Sequence, residues 1–173
     1  MIAPLFIVDV QPTFKPAMSV LKHIEKAIFL AQKQDRFIVF LECGEANVFP
    51  TENILTEAAF AKKNGYKGLS RYPKIGWIKK HGATLGIAET ANWFQTFLPE
   101  CREVIVGGMY YSNCVNWAVQ GCLSVDIIPT VCLDLCIGHG GQNPPLIRSY
   151  NDKRIQIASY KEAMLPSKIL NRE

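Results

Sequence analysis

The stretch Pro4-Leu-Phe-Ile-Val-Asp9 is an uninterrupted apolar run that ends on a carboxylate, and it predicts the first strand of a sheet. Because every side chain before Asp9 is apolar, both faces of this strand are expected to be covered by other layers. Similar short runs recur along the chain, separated by longer amphipathic segments, which is the pattern of βαβ units around a parallel sheet. The expected strands are 4–9, 37–41, 76–78, 103–107, 126–134 and 154–158.

The segments between these strands predict helices. The first is expected at 18–34, where Val20, Ile24 and Ile28 form an apolar stripe; the second is expected at 85–97, and a third begins close to Cys114. The predicted fold class is α/β: a three-layer αβα sandwich with a mostly parallel, doubly wound, Rossmann-like sheet of about six strands. We expect a single domain over 1–173, in which residues 43–72, with few strand signals, form a lid or insertion.

Composition narrows the class of protein. The chain has 173 residues, of which 49% are hydrophobic and 20% charged, so it can bury one core and is not expected to be disordered. The net charge of +4 is small and scattered, which argues against a nucleic-acid partner. The apolar start is broken by Asp9 and is too short for a membrane span, so we expect no membrane partner.

The cysteines indicate a reduced, cytoplasmic protein. There are six of them without regular spacing, no CxxC motif, and three histidines far apart in the chain. A core of this size needs no disulfides, and the pattern does not predict a structural zinc site. The cysteines are Cys43, Cys101, Cys114, Cys122, Cys132 and Cys136.

Residues that can do chemistry follow several of the predicted strands. In a parallel sheet the ligand lies beyond the carboxyl ends of the strands, where the sequence places Asp9, Glu42, Lys79, Lys80 and Cys114. A cysteine near a helix start is a candidate nucleophile, because the helix dipole stabilises a thiolate. A carboxylate can take the thiol proton, and an ammonium group favours the charged forms.

Two motifs at these positions resemble the isochorismatase-like family of cysteine hydrolases. The first is Leu5-Phe-Ile-Val-Asp-Val-Gln-Pro-Thr-Phe14, an apolar strand that ends in Asp-x-Gln with an aromatic residue shortly after. The second is Val104-Ile-Val-Gly-Gly-Met-Tyr-Tyr-Ser-Asn-Cys-Val115, an apolar strand and glycine followed by Cys-Val at a helix start. The run 127–134 resembles the next strand of the family. The resemblance covers roughly residues 4 to 136.

The resemblance implies a catalytic triad. The family's aspartate corresponds to Asp9 and its nucleophile to Cys114, while its lysine commonly lies four residues before a small hydroxyl residue. Lys80 and Thr84 have that spacing, so Lys80 is the expected lysine and Lys79 the alternative. The resemblance further implies that Asp9 takes the thiol proton, the thiolate attacks a carbonyl carbon, and water releases an acyl-enzyme.

The resemblance also implies the surroundings of the triad. The backbone N–H groups of Tyr110 and Cys114, after a cis bond between Met109 and Tyr110, are expected to form the oxyanion hole. A substrate pocket is expected to include the side chains of Phe14, Tyr110, Tyr111 and Trp117. Packing in the core is the alternative for Trp117.

Two further residues near this edge have open roles. The sequence leaves open whether Glu42 contacts a substrate. For His139 an exposed loop position is the favoured interpretation, and contact with a substrate is the alternative. Asp134 is expected to make structural hydrogen bonds.

Departures from the family pattern leave the function open. Nicotinamidases of the family hold a metal with an Asp-x-His pattern after the second strand, but here Glu42-Cys-Gly44 has no histidine. We therefore expect a metal-independent hydrolase of a small amide, without a cofactor, and a homo-oligomer as in the family. Tyr111 and Ala118 replace threonines of the family, which keeps a catalytically silent binding or scaffold protein as an alternative. A nicotinamidase-like amidase is the other alternative.

Overall fold

A computed structural model of the protein describes residues 1–10, 17–43, 72–80, 86–139 and 152–165. Of the predicted features, Phe14, Thr84 and the interior of the segment 43–72 lie outside these residues. No helix among the described residues is long and apolar enough to cross a membrane. All six cysteines are described, and none of them forms a disulfide bond.

Six parallel strands form one sheet. In chain order they are β1 Leu5–Val8, β2 Ile38–Cys43, β3 Ile75–Lys80, β4 Glu103–Met109, β5 Ile128–Ile137 and β6 Gln156–Ala158. Their order across the sheet is β3-β2-β1-β4-β5-β6, and every pairing is parallel. This is the doubly wound order, in which the winding reverses between β1 and β4.

Helices cover both faces of the sheet, because the strands are apolar on both. One face packs against α1 (Ala17–Lys33) and α4 (Tyr160–Ala163). The other packs against α2 (Ile87–Phe97) and α3 (Asn116–Leu123). Alternation along β1 divides its side chains between the two layers: Leu5 and Ile7 face α1, whereas Phe6 and Val8 face α2 and α3. The three-layer αβα prediction is confirmed.

Four strands run further toward the candidate site than the sequence predicted. β2 continues through Cys43, β3 through Lys80, β4 through Met109 and β5 through Ile137, because these residues pair with a neighbouring strand. The register between β4 and β5 shifts between Val106 and Gly108, so β5 contains extra residues there. Asp134 consequently lies inside β5 and not at its end.

Two glycines allow β4 to approach its neighbours closely. A Cβ on Gly108, whose φ is +131°, would lie 2.1 Å from the carbonyl oxygen of Val8, and one on Gly107 would lie 2.4 Å from the Cβ of Leu135. Both distances are far below van der Waals contact. The close approach of β4 to β1 therefore requires glycine at position 108, and its close approach to β5 requires glycine at position 107.

Helices α2 and α3 are similarly close at Gly121, which gives a test of the packing. A Cβ on Gly121 would lie 2.7 Å from the carbonyl oxygen of Ile87 and 2.8 Å from the Cβ of Thr90. Gly121→Ala gains about 1 kcal/mol of helix propensity, but overpacking costs about 1–3 kcal/mol. We therefore expect a net loss in the free energy of unfolding, measured by urea denaturation. Gln95→Ala on the exposed face of α2 is the control, and an equal or more stable Gly121→Ala protein would contradict the tight crossing.

Candidate active site

The candidate site lies where the winding of the sheet reverses. β1 and β4 are neighbours there, and the chain segments that leave them run to opposite faces, which opens a crevice at their carboxyl ends. Asp9 directly follows β1, and Cys114 lies in the turn that follows β4. Gly108, which is in register with Val8, brings these two segments together.

Asp9 and Lys80 form a buried ion pair. Lys80 Nζ donates a hydrogen bond to Asp9 Oδ2, and the two residues are only 1% and 4% exposed. Asp9 has a φ of 49°, a left-handed conformation that few residues other than glycine adopt. Its N–H donates to the carbonyl oxygen of Leu41 at 2.8 Å, which fixes the carboxylate beside the end of β2.

Strand alternation separates the two candidate lysines. Consecutive side chains in β3 point to opposite faces of the sheet, so Lys79 and Lys80 cannot both reach Asp9. Lys80 is buried against it, whereas Lys79 is exposed. Phe40 stacks on Trp77 with ring centroids 4.6 Å apart and fixes β3 against β2. Of the two predicted lysines, Lys80 is the one that meets Asp9.

Cys114 lies in a π-helical turn, Tyr111–Val115, that precedes α3. The N–H of Val115 donates to the carbonyl oxygen of Tyr110 at 3.2 Å, which is the wider i to i+5 spacing of such a turn. Asp9 and Lys80 lie close enough to the Cys114 thiol for both of them to influence its pKa. The predicted Asp9, Lys80 and Cys114 are therefore brought to one place.

The surroundings of Cys114 favour a neutral thiol at rest. Burial and the negative charge of Asp9 raise the pKa of Cys114 to about 11, against the lowering effect of Lys80. Burial also raises the pKa of Asp9, despite Lys80. The pKa of Lys80 is raised, because the charges of Asp9 and Cys114 outweigh the effect of burial. Within this turn burial has the largest effect on the pKa of Cys114, and it acts against the stabilisation of a thiolate by the helix dipole.

The segment leading into the π-turn has an unusual backbone. The peptide bond between Met109 and Tyr110 is cis, as the resemblance implied. The half-buried Tyr110 ring stacks on the His139 imidazole, with centroids 4.1 Å apart and an interplanar angle of 20°. His139 is exposed, and this stack joins the segment after β5 to the edge of the candidate site.

Two predicted pocket residues have other surroundings. Tyr111 is 1% exposed and packs in the core between the sheet and α3, so its ring fills the core and does not line an accessible pocket. This differs from the prediction because the helical backbone begins at Tyr111 and directs its side chain inward. Trp117 is half-buried, and its Nε1 donates to Asn113 Oδ1 at 2.9 Å. Phe14 lies outside the described residues.

Asp134 has a structural role in the described residues. Its carboxylate accepts hydrogen bonds from the N–H of Tyr160 at 3.0 and 3.3 Å, and its carbonyl oxygen lies 3.1 Å from Nδ1 of His23. These contacts tie α4 and α1 to β5. This agrees with the structural hydrogen bonds expected for Asp134.

Glu42 is a residue at this edge whose role the sequence left open. It is 2% exposed, and burial raises its pKa to about 7, with a further rise caused by Asp9 and a lowering by Lys79. The available signal was its position directly after the apolar run 37–41, next to the strand that ends at Asp9. The role of a carboxyl group there depends on burial, which spacing does not give.

The described residues at this edge do not form a donor set for a metal ion. Within the described ranges, no group of three or more histidine, cysteine or acidic side chains could hold one. Glu42 is also in register with Lys79 on the neighbouring strand, which places a positive charge near the one carboxylate that resembles the metal-binding position of nicotinamidases.

Comparisons with known proteins identify the fold. No protein-family model and no curated protein sequence matches the chain. Among solved structures, it is similar to the nicotinamidase from Staphylococcus aureus, with 17% identity and a TM-score of 0.61 over 80% of this chain and 84% of that one. It is also similar to an isochorismatase from Pseudomonas putida, with 16% identity and a TM-score of 0.62 over 93% and 89%.

A third similar structure is N-carbamoylsarcosine amidase from Thermoplasma acidophilum, with 12% identity and a TM-score of 0.62. The alignment covers 93% of this chain and 98% of that one. Nearly the whole domain is therefore shared, although few residues are identical. The chain has the fold of the isochorismatase-like cysteine hydrolases.

Proposed function

We propose that the protein is a cysteine hydrolase of small amides, with Cys114 as nucleophile, Asp9 as proton acceptor and Lys80 as the cation that orients them. The observation that carries this proposal is the buried Asp9–Lys80 ion pair with the Cys114 thiol beside it. A buried ion pair contributes little net stability to a fold, so stability alone does not account for this one. The structural neighbours, which include hydrolases of amides, support the same class of reaction.

The first half of the reaction forms a thioester. Asp9 takes the proton of the Cys114 thiol as the sulfur attacks the carbonyl carbon of the amide, so a C–S bond forms and the carbonyl oxygen becomes an oxyanion. The backbone N–H groups of Tyr110 and Cys114 are assigned to stabilise this oxyanion. Asp9 then gives its proton to the leaving nitrogen, the C–N bond breaks and the amine departs.

The second half restores the enzyme. Asp9 takes a proton from water as the water oxygen attacks the thioester carbon, and collapse of the intermediate releases the acid and the Cys114 sulfur, which regains the proton. A raised pKa suits Asp9 to this cycle, because it makes the carboxylate a stronger base toward a thiol of pKa about 11. Lys80 stays protonated throughout, since its pKa is raised, and it holds Asp9 in place.

A panel of small amides tests the proposal. It includes nicotinamide and N-carbamoylsarcosine, because the names of structural neighbours refer to these compounds, together with simple aliphatic amides. Ammonia or amine release is measured for the wild-type protein, with the Cys114→Ser variant as the blank. Release above this blank supports the hydrolase, and its absence for every amide of the panel counts against it.

One observation favours a second function, binding without turnover. Burial raises the pKa of the Cys114 thiol to about 11, which lowers the share of reactive thiolate, as suits a protein that holds a small molecule at this crevice and does not act on it. Calorimetry with the same panel distinguishes the two. Saturable binding without product would favour the binding protein, whereas product release dependent on Cys114 favours the hydrolase.

We expect hydrolysis to be independent of metal ions, because the donor set beside Glu42 does not fit one. Turnover of the best amide should be unchanged after exhaustive treatment with a chelator and removal of the complex. The measurement is the initial rate before chelation, after it, and after addition of zinc or manganese. Loss of activity that one metal restores would contradict this expectation and favour a nicotinamidase-like amidase.

A further inference from the structure

A second buried carboxyl group, that of Glu42, lies beside the candidate site, and the proposed reaction does not use it. Glu42 is 2% exposed, and within the described part of the chain its Oε1 has no hydrogen-bond partner. Leu41, the residue before Glu42, accepts a hydrogen bond at its carbonyl oxygen from the N–H of Asp9 at 2.8 Å. The two carboxyl groups therefore leave adjacent strand ends, close enough for Asp9 to act on the charge of Glu42.

The positively charged groups near Glu42 offset its negative charge only weakly. Lys79 is in register with it on β3 but is exposed, so water screens its charge. Lys80, also on β3, is engaged by Asp9. Helix α1 packs its apolar stripe on this face of the sheet, and it has a half-buried Glu25 and four exposed ionisable residues: Lys22, His23, Lys26 and Lys33.

A carboxylate in this position is costly, since it is buried and lies next to another carboxylate. When Glu42 is ionised, the crevice contains two buried negative charges, Glu42 and Asp9, and one buried cation, Lys80. A negatively charged molecule that approaches Cys114 then meets a net repulsion, while a neutral molecule does not. The same repulsion is absent while Glu42 holds its proton.

We propose that Glu42 sets the charge selectivity of the site, which accepts neutral small molecules and rejects anionic ones when Glu42 is ionised. As a statement about substrates this rests on the proposed function, and it places neutral amides above amides that bear a carboxylate. The electrostatic effect itself acts on any reagent that approaches the Cys114 sulfur. Because the pKa of Glu42 is raised to about 7, the selectivity should increase as the pH rises through neutrality.

Alkylation of Cys114 by iodoacetamide and by iodoacetate tests this without a substrate. The two reagents undergo the same step: the thiolate sulfur bonds to the CH2 carbon, the C–I bond breaks and iodide leaves, but only iodoacetate is negatively charged. Their rate ratio cancels the fraction of thiolate, which both require. The ratio is measured on the Cys114 peptide by mass spectrometry from pH 6 to 8.5 and is divided by the ratio for N-acetylcysteine.

We expect the normalised preference for iodoacetamide to rise about threefold to tenfold across this pH range in the wild-type protein, as Coulomb repulsion by one added charge predicts. The neutral isostere Glu42→Gln should remove the rise. Glu103→Gln, an exposed carboxylate at the opposite edge of the sheet, is the matched control and should keep it. The proposal would be overturned if the preference did not change with pH in the wild-type protein. It would also be overturned if the rise with pH persisted in folded Glu42→Gln.

A second variant keeps the test valid if Glu42→Gln does not fold. The charge of Lys79 lowers the pKa of Glu42, so Lys79→Gln should move the midpoint of the rise to higher pH, and an unmoved midpoint would assign the titration to another group. The outcome is separate from that of the hydrolase proposal. A pH-dependent ratio without amide turnover would support the role of Glu42 and count against hydrolysis. Amide turnover with a ratio that does not change with pH would support hydrolysis and count against the role of Glu42.

Discussion

Cys114→Ala is expected to reduce amide hydrolysis by about 10⁴-fold or more while leaving the fold intact. The proposed reaction passes through a bond to the Cys114 sulfur, the thiol whose pKa Asp9 and Lys80 both influence. Removal of a nucleophile commonly leaves only the small acceleration that comes from binding and oxyanion stabilisation. The measurement is the steady-state rate on the best amide, with circular dichroism and urea denaturation to verify folding.

Cys43→Ala is the matched control for this result. Cys43 is the other half-buried cysteine, and it lies at the end of β2 in register with Lys80, so it shares the same edge of the sheet. Its loss should leave the rate of the same order as wild type. Undiminished turnover in Cys114→Ala, or an equal loss in Cys43→Ala, would show that the nucleophile has been misassigned.

Lys80→Met is expected to lower the free energy of unfolding by about 3–5 kcal/mol and to abolish turnover. It leaves the Asp9 carboxylate buried without its counter-charge, which is the costly way to break a buried ion pair. That loss is a large fraction of the stability of an ordinary domain. Lys79→Met, one position away but exposed, is the control and should change stability by less than about 0.5 kcal/mol.

The stability deficit of Lys80→Met should depend on pH with a definite sign. Burial already raises the pKa of Asp9, and without the cation the pKa of Asp9 rises further. An acid whose folded-state pKa is raised binds its proton more tightly in the folded protein, so stability is lost as the pH rises through that pKa. The deficit should therefore be larger at pH 8 than at pH 5, as urea denaturation at the two values would reveal.

The double variant Asp9→Asn/Lys80→Met measures the interaction free energy between the two side chains of the ion pair. Because the two side chains contact each other, their single effects on unfolding should not add. The double variant should be more stable than Lys80→Met, since no buried charge remains unpaired. Additive losses would mean that Asp9 and Lys80 do not interact in solution as the structure describes.

The fold followed from the sequence because its signals are local. Runs such as 4–9 and 103–107 are apolar on both faces, and only a sheet covered on two sides accommodates them. The strand ends were less predictable, because β3 extends past its apolar residues by pairing with β2, and β5 continues beyond Asp134 by pairing with β4. That difference mattered for the site, since a strand ending at residue 78 leaves Lys79 and Lys80 equivalent, whereas a strand ending at 80 places them on opposite faces.

The sequence predicted which residues lie at the site better than it predicted their protonation states. Motif resemblance selected Asp9, Lys80 and Cys114, which the structure brings together, but the ionisation of Cys114 and Glu42 depends on burial and on neighbours from distant parts of the chain. Tyr111 was misplaced for a related reason: a π-helical turn has no distinctive apolar periodicity, so the direction of its side chains is not apparent in the sequence.

The ion pair at the centre of the site joins residues 71 positions apart in the chain. In a parallel sheet such a contact is non-local, and the entropy of closing long loops delays it until the strands between have paired. A newly synthesised or unfolded chain therefore carries Cys114 as an ordinary thiol with no base beside it. The proposed combination of nucleophile, base and cation is therefore formed only when the sheet is complete.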